Sequence, residues 1–191
     1  MDIPFRTGNS TSQDGFSLIE IIFTVAIAAV LGLTAFPSMS DMLQRNRVAS
    51  EVNQLVGHLH LARSEAIKQS QRVVMCTSSD GISCARTRGW EDGWIIFTDT
   101  NSNREHDDEE PLLRVAHGLS KRVHISTGRS SRSRRKIVYQ PTGFAGGSTA
   151  TFTFCIKENA ELARAVILSN TGRPRLSDKR ADGSEISCLR S

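Results

Sequence analysis

The chain has 191 residues, with 24 Lys and Arg against 20 Asp and Glu and four cysteines, which suits one domain with an appendage and argues against several domains. Charge is unevenly placed. Residues 1–37 hold Arg6 against Asp2, Asp14 and Glu20, a net of −2, so the remainder carries 23 basic and 17 acidic residues, a net of +6. A soluble part of that sign favours anionic partners such as nucleic acid, acidic lipid or polysaccharide, without selecting one.

Residues 1–15 form a polar leader that ends in Gly15. Behind it the 21 residues from Phe16 to Phe36 are apolar except for Glu20 and a few small polar residues. That is long enough for a helix to cross a bilayer, so residues 16–37 are expected to form a transmembrane or filament-core helix. A carboxylate in such a span costs roughly 2.5–3.5 kcal/mol at the membrane centre and is seldom idle. The run exceeds the apolar core of a secretory signal and lacks a clear small-x-small end. Pro37 should kink the helix or relax one turn. Beyond it Val48, Val52, Leu55, Leu59, Ala62 and Ala66 recur in steps of four and three, which predicts an amphipathic helix over 38–70 with one narrow apolar stripe. His58 and His60 fall on it and read as boundary or surface residues.

From 71 to 191 the pattern changes to short β-rich runs: RVVMC, GWIIFTD, LLRVA, RVHIS, KIVYQ, TFTFCI and RAVILS, separated by Gly, Ser, Asn or Pro. No long helical pattern recurs, which predicts an α+β protein: a long N-terminal helix packed on an antiparallel β-sheet head. An even number of cysteines outside the cytoplasm suggests two disulfides. Of three connectivities, Cys76–Cys84 would close a short hairpin over TSSDGIS, and Cys155–Cys188 would staple the C-terminal segment to a strand; these are the favoured pairs.

The sequence Gly15-Phe16-Ser-Leu-Ile-Glu20 before an apolar run resembles the N-terminus of type IV prepilins and type II secretion pseudopilins. The resemblance implies a type IV pilin-like fold, cleavage by a prepilin peptidase after Gly15 and N-methylation of Phe16. It also implies an assembly role for Glu20, which would pair with the α-amine of a neighbouring subunit and so relieve two buried charges. The stretch GWEDGWIIFTDTNSN, with Trp90, Gly93, Trp94, Phe97, Asp99 and Asn101, together with QPTGF and SNTGRPRLS, resembles the GspH/FimT-like branch of minor pilins and pseudopilins. The aromatics there read as core and turn residues.

No catalytic set is evident. The five histidines form no HExxH pattern, and neither a G-x-S-x-G elbow nor a GxxxxGK[ST] loop occurs. No cofactor is implied. Asp99, Asn101, Asn103 and Glu110 match calcium-loop positions 1, 3, 5 and 12, but Arg104 stands where that loop needs glycine, so no metal site is assigned.

Two basic features stand out. Lys121, Arg122, Arg129, Arg132, Arg134, Arg135 and Lys136 share a Gly/Ser-rich stretch without acids, and TGRPRLSDKR holds Gly172, Arg173, Arg175, Lys179 and Arg180. Pro174 keeps the local chain extended, so Arg173 and Arg175 should project to one side about 6.6–7 Å apart. Two such guanidiniums suit separate phosphates, read through the backbone and without base specificity. The G-R-x-R pattern resembles the DNA-binding motif of FimT-type minor pilins that serve natural transformation. Two functions are therefore expected. In one, a minor pilin binds extracellular double-stranded DNA and aids its uptake, with Arg173, Arg175, Gly172, Lys179, Arg180, Arg129, Arg132, Arg134, Arg135 and Lys136 as contacts. In the other, a structural minor pilin or GspH-like secretion pseudopilin primes or caps a filament without DNA. Both imply other pilin subunits as partners, an inner-membrane stage with the head outside the cytoplasm, and a place in an extracellular pilus.

Overall fold

The protein was analysed as a computed structural model, which describes residues 15–86, 89–119, 123–127, 134–156 and 159–188; for 32–38, 40, 41 and 159–161 it describes the backbone alone. The chain divides into a first unit up to Met42 and a second from Leu43 to Ser191. Helix α1 (Leu18–Gln69) starts in the first and ends in the second, and its backbone stays helical through Pro37.

Within the first unit, Phe16, Leu18, Ile22, Phe23 and Val30 are all exposed, and Glu20 lies in the first turn of α1. A carboxylate there is favoured by the positive end of the helix dipole. Among the described residues no helix is long and apolar enough to cross a membrane. The expected span, residues 16–37, has described side chains only as far as Leu31.

In the second unit the stripe on α1 is the centre of the core. Val48, Val52, Leu55, Leu59, Ala62 and Ala66 are each no more than 3% exposed. The helix stops where Ser70 adopts φ of +53° and donates its N–H to the Ile67 carbonyl at 3.2 Å. Two antiparallel sheets follow. The first has the order β3-β2-β1-β5, built from β1 (Arg72–Thr77), β2 (Gly93–Asp99), β3 (Leu112–His117) and β5 (Lys136–Tyr139). The second has the order β4-β6-β7-β8, from β4 (Val123–Ser126), β6 (Ala150–Ile156), β7 (Asn159–Leu168) and β8 (Pro174–Ser177).

Alternation assigns the faces. Val73, Met75, Trp94 and Ile96 of the first sheet, and Phe152, Phe154, Val166 and Leu168 of the second, join the α1 stripe in one cluster. The opposite face of the first sheet buries Val74, Cys76, Ile95, Phe97 and Val138, which is why β2 is buried along its whole length. The opposite face of the second sheet is covered by the chain's own C-terminal segment, with Ile186 and Cys188 packed on Cys155, Ala163 and Ala165. Disulfides Cys76–Cys84 and Cys155–Cys188 tie down these two outer layers. Trp94 donates its indole N–H to His58 Nδ1 at 3.0 Å, and burial, followed by the Arg114 charge, lowers the His58 pKa. His58 is thus a neutral acceptor within the head, while His60 is exposed.

The sequence leaves TGRPRLS as an extended tail after the last strand. Here the structure differs: Pro174–Ser177 is a strand, β8, paired with β7 in the register Leu168↔Pro174 and Ile167↔Arg175. Proline is tolerated because it is the first residue of an edge strand, where its missing N–H costs no ladder bond.

Candidate nucleic-acid interface

The turn between β7 and β8 owes its shape to contacts far away in the sequence. Gly172, at φ +74°, donates its N–H to the Ser169 carbonyl at 3.0 Å. A Cβ on Gly172 would lie 2.2 Å from the Gly143 carbonyl oxygen, so only glycine fits. Gly143, at φ +78°, sits in the facing turn, where its N–H bonds the Gln140 carbonyl at 2.7 Å. Ala145 N–H donates across to the Asn170 carbonyl at 2.9 Å, and Arg63 Nε of α1 donates to the Gly143 carbonyl at 3.1 Å. The motifs QPTGF and SNTGRPR are therefore two turns packed back to back and pinned by the helix. Tyr139 lies beneath them with its hydroxyl buried and without a hydrogen-bond partner among the described residues. Burial pushes its pKa up, with the Arg63 charge opposing.

Arg173 and Arg175 emerge from this braced turn and are both exposed. Spaced by two on extended backbone, they share a side. Neither guanidinium forms a hydrogen bond or ion pair among the described residues; only the Arg173 carbonyl is engaged, by the Ser169 hydroxyl at 3.4 Å. Lys179 is exposed, whereas Arg180 is half-buried, with Nε shielded from solvent and unbonded among the described residues. The stretch from Ser177 to Ile186 folds back on itself through the Lys179↔Glu185 bridge and a turn in which Arg180 N–H bonds the Ser184 carbonyl at 2.9 Å.

Of the other basic candidates, Arg129 and Arg132 lie outside the described residues, as do Lys121 and Arg122. Arg134 Nε donates to the Thr149 carbonyl at 3.1 Å and Arg135 Nη1 to the Arg86 carbonyl at 2.5 Å. Lys136 Nζ reaches the Arg104 carbonyl at 2.7 Å and also the Glu105 carboxylate.

In the acidic loop between β2 and β3, Glu105, Asp107 and Glu110 are engaged by hydrogen bonds, whereas Asp108 and Glu109 are exposed. Glu110, 6% exposed, accepts from Thr100 N–H at 2.7 Å, Thr100 Oγ1 at 3.2 Å and Asp107 N–H at 3.3 Å. Asn101 and Asn103 both donate to Asp107 Oδ2 at 2.7 Å, and these two bonds hold the Asp107 carboxyl below its ordinary value. Arg104 adopts the left-handed φ of +66° that a calcium loop gives to glycine. Among the described residues no group of three His, Cys, Asp or Glu side chains is gathered for a metal ion.

At the other end of the chain, Gly15, Phe16 and Glu20 are all exposed at the start of α1, and residues 1–14 lie outside the described set.

Comparison with known proteins gives the context for this geometry. Residues 51–172 match the family model for type II transport protein GspH, and residues 10–36 match the prokaryotic N-terminal methylation motif. The pilin-like protein PilA1 of Thermus thermophilus is 27% identical over 170 residues, covering 86% of this chain and 99% of PilA1. Among solved structures, the type IV minor pilin FimU of Pseudomonas aeruginosa PAO1 superposes with a TM-score of 0.58 at 20% identity, over 78% of this chain and 99% of FimU. A second crystal form of FimU gives 0.54 over 74% of this chain. These structures share the α+β architecture of an N-terminal helix with an antiparallel sheet head. The GspH match stops at Gly172, before the two exposed arginines. By the extent of that match and the methylation motif ahead of it, the chain belongs to the GspH family of type IV pilin-like proteins, which comprises minor pilins and secretion pseudopilins.

Proposed function

We propose that this protein is a minor pilin whose head binds the backbone of extracellular double-stranded DNA and assists its uptake in natural transformation. The observation that carries this reading is the pair Arg173 and Arg175: exposed, on one side of extended chain, free of internal partners among the described residues and held on a braced turn. Guanidiniums so placed can each take a phosphate through charge-assisted hydrogen bonds. Among the described residues no carboxylate of the acidic loop forms an ion pair with either arginine. Contacts of this kind bind all sequences alike and weaken steeply with salt.

The N-terminal motif fits cleavage after Gly15 and methylation of Phe16. The apolar start of α1 would then sit in the inner membrane before assembly and among neighbouring subunits in the pilus. In that setting Glu20 meets an adjacent α-amine and offsets a charge that would be costly alone. A second reading, a structural minor pilin or secretion pseudopilin, is supported by the exposed apolar side chains Ile67, Phe144 and Leu176 on the head, which could face other subunits. Fluorescence polarisation of the full chain in neutral detergent separates the two. Duplexes of unrelated sequence should bind with dissociation constants of about 1–100 µM at modest salt. No binding to any duplex would leave the structural reading.

A further inference from the structure

Three loops that are distant in the sequence meet at a cleft of about 490 Å³ on the head. Arg104 comes from the β2–β3 loop, Arg134, Arg135 and Lys136 from the entry to β5, and Gly146 and Gly147 from the β5–β6 loop. Four cations thus line one depression, with two residues that lack side chains beside them. Glu105 approaches this set and is bonded to Lys136. The three guanidiniums have no carboxylate partner among the described residues.

The cations are held rather than loose. Arg134, Arg135 and Lys136 each donate one hydrogen bond to a backbone carbonyl, those of Thr149, Arg86 and Arg104. A guanidinium has five N–H donors, so Arg134 and Arg135 retain most of theirs, and the Arg104 side chain makes no bond among the described residues. Neutral carbonyls orient the charges without cancelling them. Like charges fixed together repel, and a tetrahedral oxyanion that accepts several N–H bonds relieves that repulsion. A lysine on an edge strand can serve only to prevent edge pairing, but that role does not account for Arg104, which reaches the cleft from another loop.

The cleft also adjoins the turn described above. Ala145 bonds Asn170 of the β7–β8 turn, and the next two residues, Gly146 and Gly147, line the cleft. Consecutive Cα atoms are 3.8 Å apart, so the same short loop touches both features. We propose that this cleft is an oxyanion subsite that takes a phosphodiester of the duplex already engaged by Arg173 and Arg175, giving the head two separated points of backbone contact. This rests on the DNA-binding reading for its source of phosphate, while the shared chemistry is that of any phosphate oxyanion.

The test uses the full chain in neutral detergent with two probes, a 20-base-pair duplex and tripolyphosphate, the latter offering phosphate oxyanions without a duplex. Expected are weaker binding of both probes to R134Q/R135Q, on the order of tenfold, and a smaller loss for R104Q. R104Q removes no internal side-chain bond among the described residues, so its loss cannot be ascribed to misfolding. The log K against log salt slope for duplex should flatten by about one unit in R134Q/R135Q, R134K/R135K should restore part of the binding, and R173Q/R175Q should weaken duplex alone. Cleft variants that bind both probes like the parent overturn the inference and leave the function intact. Loss of duplex with tripolyphosphate unaffected overturns it too, because an oxyanion pocket must respond to both. If the parent binds tripolyphosphate through the cleft and no duplex, the DNA-binding function falls while the subsite stands.

Discussion

In the β2–β3 loop, Glu110 closes on backbone amides, Asp107 gathers two asparagine amides and Glu105 meets Lys136. In the turn before β8 and the start of that strand, the backbone is equally well held, yet the side chains of Arg173 and Arg175 are left with no partner among the described residues. Both regions are exposed, charged and short. They differ in where the charge goes: Asp107 and Glu110 of the acidic loop hold its shape, whereas the basic turn takes its shape from glycines and carbonyls and leaves Arg173 and Arg175 without internal partners among the described residues. Local charge density therefore says little about binding until the internal partners have been counted.

The comparison can be broken where it is strongest. Glu110→Ala removes the buried carboxylate that accepts from the Thr100 and Asp107 amides, and hydrogen bonds to a charged group contribute about 1.5–3 kcal/mol each. We expect a loss of about 3 kcal/mol, read as a fall in Tm of roughly 6–12 °C for a head of this size, with duplex binding unchanged. Gly172→Ala comes next. It places a methyl group against the Gly143 carbonyl at a left-handed φ, which should lower stability by about 2 kcal/mol or more. It should also weaken duplex binding, because the turn that presents the arginines must shift.

Acid titration of the parent beside Asp107→Asn isolates the loop, since Asp80 and Asp182 elsewhere in the head are also held below their ordinary values. Asp107 has a folded pKa below its ordinary value of 3.8, so its contribution is fully present above that value and is lost as pH falls through the lower folded one. As pH falls below about 4 the parent should lose stability more steeply than Asp107→Asn, as followed by circular dichroism. The smallest effect on stability belongs to R173Q/R175Q. With no internal bond to lose, Tm should move by an amount equivalent to less than about 0.5 kcal/mol, while the salt slope of duplex binding flattens by about two units. A large drop in Tm would mean that these arginines serve the fold, and the contrast between the two regions would collapse.

Much of the head was legible from periodicity. The six apolar residues of the α1 stripe are all buried, and each β-rich run corresponds to a strand. Both pairings favoured from the cysteine spacing are present. β8 escaped because PRLS is only four residues long and opens on a proline, and its pairing depends on a β7 edge that the local sequence does not reveal. Arg104 escaped as a member of the cleft because it reaches Lys136 across more than 30 residues of chain, and no linear spacing encodes such a meeting. The signature residues QPTGF and SNTGRPR were visible as motifs, but their mutual packing through Gly143 and Gly172 needed coordinates.

The bond between Cys155 and Cys188 spans 33 positions and encloses β7, the arginine turn and β8 in a covalent ring. Tension applied at Arg173 or Arg175 is therefore applied inside that ring. Should β8 peel from its neighbour under load, the chain could lengthen only until the ring was taut, and the force would then pass to β6 in the centre of its sheet. A filament subunit dragging a long polymer would have, in this one crosslink, a mechanical stop.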